Sequence, residues 1–135
     1  MSRAILADTG PLYALADPSD QYHARAGREL ARLNSEGCYV AAAYTTIAES
    51  YTLVQRRLGS AFAVNWLKEL LEGVMALNPE PGDYTTAASR VVSLPKQDIS
   101  LFDAVTVALS RRLGLPVWTF DRHFEVIRVK RWRPL

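Results

Sequence analysis

Four short apolar runs, kept apart by segments of helical periodicity, constrain this chain more than any other feature. Ala4-Ile5-Leu6-Ala7 stops at Asp8-Thr9-Gly10 and reads as a buried strand closed by a turn. Cys38-Tyr39-Val40-Ala41 and Val74-Met75-Ala76-Leu77 repeat the pattern, and Val117-Trp118-Thr119-Phe120 ends at Asp121. Residues 126–129 are a candidate fifth strand. Between the runs, spacing predicts a short helix over 11–16, opened by Pro11, and longer ones over 21–34, 45–58, 60–71, 83–94 and 100–113. Residues 78–82 and 95–99 read as loops. Ile47, Tyr51, Val54 and Leu58 form the expected buried stripe of the third helix, and Phe62, Trp66 and Leu70 that of the fourth. Strands alternating with helices describe an α/β chain whose parallel sheet is covered on both faces. At 135 residues without repeats or linkers, one domain over 1–135 is expected, large enough to bury a core unaided.

The single cysteine, Cys38, excludes an intrachain disulfide and gives no support to a cysteine-ligated metal site. It suits the reducing cytoplasm, the expected location. No apolar stretch is long enough to span a bilayer, and Ala4–Ala7 is too short for the core of a signal peptide. The formal charge is +2, but unevenly spread. Residues 122–135 carry five basic groups against one acid, which leaves 11 basic and 13 acidic groups on the rest. A basic tail on a slightly acidic body is suited to guiding an anionic ligand, although a solvated terminus explains it as simply. The same choice applies to Arg25, Arg28 and Arg32, which share one side of the second predicted helix.

In open parallel α/β sheets, ligands bind beyond the carboxyl ends of the strands. Asp8 and Asp121 fall there, after the first and fourth strands. Glu49 lies nearly opposite the Ile47/Tyr51/Val54/Leu58 stripe of its helix, and Asp103 opposite Leu101/Val105/Ala108. Each acid also has a structural reading: a turn for Asp8, a capping pattern with Ser100 for Asp103, a cap for Asp121, a solvated helix face for Glu49. If the four converge they repel, and a divalent cation relieves the repulsion. All-oxygen ligation without cysteine or a histidine cluster points to Mg²⁺ or Mn²⁺, ions that polarise phosphoryl oxygens and activate water.

The contexts of these acids, taken in order, resemble a PIN domain, particularly the VapC-type ribonuclease toxins. The matching pieces are Asp8-Thr9-Gly10-Pro11-Leu12-Tyr13-Ala14-Leu15, Asp20-x-x-His23-x-x-Ala26, Thr46-x-x-Glu49-x-Tyr51-x-Leu53, Ser100-Leu101-Phe102-Asp103-Ala104 and Thr119-Phe120-Asp121-Arg122-His123-Phe124. The resemblance implies a three-layer α/β/α sandwich around a mostly parallel sheet of four or five strands. It implies a Mg²⁺ or Mn²⁺ site on Asp8, Glu49, Asp103 and Asp121, and endonucleolytic cleavage of RNA by metal-assisted hydrolysis. Products would then carry 5′-phosphate and 3′-hydroxyl ends. Thr9 and Ser100 are candidates to orient ligands or water, and Arg122 and His123 to touch RNA. The implied partners are an RNA substrate, a cognate antitoxin and a second copy of the chain. Gly10 and Phe102 depart from the family pattern, which more often has Ser at the first position and Thr or Ser at the second.

His23 and the three tryptophans, Trp66, Trp118 and Trp132, are expected to pack. Leu12, Tyr13 and Leu15 with Leu30 and Leu33 are candidates to leave an apolar groove for a partner helix. Three other enzyme or binding classes compete. Asp8-Thr9-Gly10 matches the aspartic-protease triplet, but that fold is all-β. A non-catalytic RNA-binding or protein-interaction module on the same fold is the stronger rival. A phosphotransfer receiver fits poorly, because Asp8 has no adjacent acid.

Overall fold

A computed structural model describes residues 3–122, 124 and 130–134. Its strands are β1 (Arg3–Ala7), β2 (Cys38–Ala43), β3 (Met75–Leu77) and β4 (Val117–Trp118). They form one sheet in the order β3-β2-β1-β4, with every pairing parallel. The helices are α1 (Thr9–Ala16), α2 (His23–Ser35), α3 (Tyr44–Leu58), α4 (Ser60–Gly73), α5 (Pro81–Ser93) and α6 (Leu101–Leu113). None of them is long and apolar enough to cross a membrane.

Strand alternation sorts the core into two layers. Leu6, Ala43 and Val117 face a cluster with Ala87 of α5 and Ala104, Val105, Val107 and Leu109 of α6. Ile5, Ala7, Val40, Ala42 and Trp118 face the other way, against Leu12 of α1, Ala26 and Leu33 of α2 and Ile47 of α3. This is the expected three-layer α/β/α arrangement. The expected fifth strand, over 126–129, lies outside the described residues. The chain beside it returns to β4, however: Val117 donates its N–H to the Lys130 carbonyl, and Trp132 donates to the Val117 carbonyl.

The departures from the sequence reading have local causes. Helix α1 begins at Thr9, two residues before Pro11, because Asp8 adopts the extended N-cap conformation. Helix α2 begins later than expected, at His23, after a turn in which the Asp20 carboxylate accepts the Tyr22 N–H at 2.9 Å. The 78–82 loop is shorter than read, since α5 starts at Pro81. There the Asp83 carboxylate accepts the Glu80 N–H at 2.8 Å, as in a capping box. Phe62 is 45% exposed, and Ala63 takes its place in the core, packed with Tyr13, Ala16 and Val54. Leu101 is 54% exposed, while residues 104–110 of α6 are buried without a break. The helix is covered all round there, so a single apolar stripe does not describe it.

Asp83 also takes both of its Arg112 partners at 2.8 Å, which holds its carboxyl below the usual range. That stabilisation is present above the ordinary carboxylate pKa and is lost as pH falls through the depressed one. Asp83→Asn is expected to lower the melting temperature by roughly 5 °C at neutral pH, the scale of a lost cap. The difference from the parent should shrink in acid, as a pH series of thermal melts would show.

Candidate functional site

The carboxyl ends of β1 and β4 lie side by side, and Asp8 follows β1 directly. Its N–H donates to the Trp118 carbonyl at 2.9 Å, so the sheet ladder fixes its backbone. Its side chain makes no cap bond to α1, which leaves the carboxylate to face the neighbouring strand. There Oδ2 accepts the Thr119 hydroxyl at 2.9 Å. The Thr119 oxygen in turn accepts the Asp121 N–H at 2.9 Å. One threonine therefore ties together the turns that carry two of the four acids.

Asp8, Glu49, Asp103 and Asp121 all line one cleft of about 300 Å³, with Thr9, Gly10, Tyr22, Ser100 and Phe120. The cleft draws its acids from β1, α3, the start of α6 and the segment after β4. The Thr9 hydroxyl donates to Glu49 Oε1, across 40 residues of sequence. Ser100 Oγ accepts the Asp103 N–H at 3.0 Å, so it caps α6 while bordering the cleft. Arg122 is exposed and is not part of the lining. His123 lies outside the described residues.

Asp8 is only 6% exposed, and its carboxyl is pushed up from 3.8 to about 7. Burial is the largest cause and the negative charge of Asp103 the next. The Thr9 N–H and the Thr119 hydroxyl oppose the shift, and Glu49 adds a smaller rise. Like charges so placed favour the proton or a cation.

The donor set suits a hard divalent cation, since every candidate ligand is an oxygen. Among the described residues, however, no three His, Cys, Asp or Glu side chains are gathered as an ion-holding group. The acids share a cleft rather than a closed coordination shell.

Three residues of the site were not singled out from the sequence. Thr119 was read as strand, yet it bonds Asp8. Tyr22 and Phe120 form an aromatic wall, their ring centroids 4.9 Å apart. The signal was faint, because a Tyr at a helix start and a Phe beside an acid are ordinary core residues. The two departures from the family pattern are mild. A Cβ on Gly10 would meet Phe120 at 3.8 Å, ordinary contact, so a serine there fits. Phe102 is exposed and is not among the cleft-lining residues.

The other expectations divide. Trp118 is buried, Trp66 and Trp132 partly so, and the His23 ring Nδ1 donates to the Ala14 carbonyl at 2.7 Å. The apolar groove exists, at about 410 Å³, and Leu12, Leu15 and Leu30 line it with Trp66, Leu70 and Val74. Tyr13 and Leu33 are not in its lining, being buried in the core. A helix-rich parallel α/β fold rules out the all-β protease reading.

The sequence matches the PIN domain family over residues 5–130. Among solved structures, it is similar to Mycobacterium tuberculosis VapC20, described as a sarcin–ricin loop cleaving toxin. The TM-score is 0.83 at 25% identity, covering 96% of this chain and 99% of that one. It is similar in fold to VapBC2 of Rickettsia felis, solved on a promoter DNA fragment, with a TM-score of 0.75 at 11% identity over 96% and 97% of the chains. VapBC-1 of nontypeable Haemophilus influenzae gives 0.68 at 19% identity over 96% of each. Among curated proteins nothing matches.

Proposed function

The chain belongs to the PIN domain family, and on that premise we propose that it is a metal-dependent endoribonuclease, the toxin of a toxin–antitoxin pair, folded as one domain over 1–135. The observation that carries this reading is the cleft. Four carboxylates from four separate parts of the chain face one hollow beyond the strand ends. An acid so buried that its carboxyl rises to about 7 is a costly feature to keep without a use.

In this reading Asp8 and Asp103 hold Mg²⁺ or Mn²⁺, with Glu49 and Asp121 completing the site. When bound, such an ion polarises the scissile phosphoryl group and activates water. The protein's own contribution is positioning. Thr119 holds the Asp8 carboxylate and the Asp121 backbone at fixed distances. Thr9 aims Glu49, and the Ser100 cap fixes the first turn of α6 that carries Asp103. The Tyr22/Phe120 wall gives a flanking base a surface on which to stack.

The groove supports an antitoxin partner. A helix with a Leu-rich stripe is the occupant that an apolar trough between α1, α2 and α4 accommodates. The homodimer rests on the resemblance, and the cytoplasmic location on the single cysteine, Cys38. A binding module on the same fold remains the second reading, favoured by the acids not closing into an ion-holding group.

The test is cleavage of a mixed RNA pool by the purified chain with Mn²⁺ or Mg²⁺. Cleavage is expected, abolished by chelator, with 5′-phosphate and 3′-hydroxyl ends. Cleavage that survives chelator and leaves 2′,3′-cyclic phosphates would overturn the mechanism. Absence of both cleavage and calorimetric metal binding would leave the binding module.

A further inference from the structure

Beyond Phe120 the acid cleft adjoins a second feature, which is basic. The Arg25 guanidinium lies over the Phe120 ring, 4.5 Å from its centroid, and its Nε donates to Glu29 at 2.8 Å. Glu29 is anchored from beneath by the Trp118 indole N–H at 2.8 Å. Arg25 is therefore held at the lip of the cleft by a stack on one side and a buried carboxylate on the other. From there two hollows run on, of about 350 and 600 Å³, sharing Arg25, Glu29 and Pro134. The first is lined by Thr119, Arg131 and Arg133, the second by Arg28 and Arg32. Thr119, in the lining of the first hollow, donates to Asp8 in the acid cleft, so one hydrogen bond links the two.

The charge of this trough is one-sided. Among the described residues five arginines line it, with Glu29 as the acid in its lining, and Arg32 pairs with the neighbouring Glu36 at 2.6 Å. Along α2, Arg25 to Arg32 spans about 10 Å, the rise of about three stacked nucleotides.

We propose that this trough is the path of the RNA strand beside the acid cleft, with its phosphates held by Arg25, Arg28 and Arg32 on one bank and Arg131 and Arg133 on the other. The proposal takes its ligand from the ribonuclease reading. The strand is favoured over an acidic protein segment because of continuity. A backbone whose scissile phosphate sits over the carboxylates passes Phe120 in the cleft lining and meets the Arg25 guanidinium stacked on that ring. Phosphate contacts of this kind position a strand without reading its sequence.

The experiment is fluorescence anisotropy of a fluorescein-labelled 12-nucleotide single-stranded RNA of mixed sequence, titrated in chelator so that nothing is cut. Arg28→Ala and Arg32→Ala should each weaken binding about 3- to 10-fold and reduce the slope of log K against log salt by about 0.7. Arg56→Ala, on exposed α3 surface away from the trough, should do neither. Thermal melts confirm that each variant folds. Equal losses for all three variants would mean that affinity follows net charge, and would overturn the proposal. So would absence of binding at 20 mM salt. Unchanged RNA affinity in the variants, with lost binding of a labelled polyglutamate peptide, would assign the trough to an acidic protein segment and overturn it as well. The two readings fail separately. Variant-sensitive binding with neither metal-dependent cleavage nor metal binding keeps the trough and sinks the nuclease, whereas cleavage with an unchanged KM in the variants does the reverse.

Discussion

Asp8→Asn is expected to lower RNA cleavage by about 10³-fold while making the metal-free protein more stable, a pairing that separates a functional acid from a structural one. The activity loss follows from removing the charge at the centre of the cleft. The stability gain follows from the same charge. Its carboxyl is raised from 3.8 to about 7, which corresponds to roughly 4 kcal/mol spent on keeping the folded acid ionised. Asparagine has the same shape, and its carbonyl oxygen can still accept the Thr119 hydroxyl. The pH dependence has a definite sign. Between about 4 and 7 the folded state binds the Asp8 proton and the unfolded state does not, so the parent loses stability as pH rises through that window. The variant lacks this slope. Melts in chelator should show it several degrees above the parent at pH 8 and level with it near pH 4. Mn²⁺ should raise the melting temperature of the parent and leave the variant unmoved. A variant that melts lower than the parent at pH 8 would make Asp8 a structural residue.

Trp118→Ala should cause the largest loss of stability, about 3–5 kcal/mol, a substantial share of what holds a domain folded. The side chain is 1% exposed, on the face of β4 that packs towards α1 and α2. It meets Phe120 and Trp132 edge to face, at centroid distances of 6.5 and 6.3 Å. Its removal leaves a cavity and takes the indole donor from Glu29. Urea unfolding should show a lower midpoint at unchanged slope. Trp118→Phe keeps most of the packing and should recover more than half of the loss, the remainder measuring the Glu29 bond. A loss under about 1 kcal/mol for the alanine variant would contradict the packing described.

Much of this was legible in the sequence. The apolar runs before Asp8 and Asp121 located β1 and β4, because a buried parallel strand needs an unbroken apolar stretch and its end needs a turn. The angular positions of Glu49 and Asp103 on their helices were enough to aim them away from the core. What was not legible depends on neighbours that periodicity does not report. Glu29 looks like one more polar residue on a charged helix, yet it is buried, because the Trp118 N–H needs an acceptor. Phe62 looks like core and is exposed, because the smaller Ala63 is the residue α4 turns inward. The gathering of four acids in one cleft is a property of the strand order, which spacing along the chain does not reveal.

That strand order has a consequence in time. Strand β1 lies at the centre of the sheet, and the partner that completes the cleft, β4, is translated last among the four strands. The bond between Thr119 and Asp8 closes across 111 residues. At synthesis of about 5–20 residues per second, roughly 5–25 s separate the appearance of Asp8 from that of Asp121. Throughout that interval a nascent chain carries its first acids without the strand that holds them in place. On the ribonuclease reading, a chain built in this order would stay inert towards the message from which it is being read until β4 and Asp121 have been made.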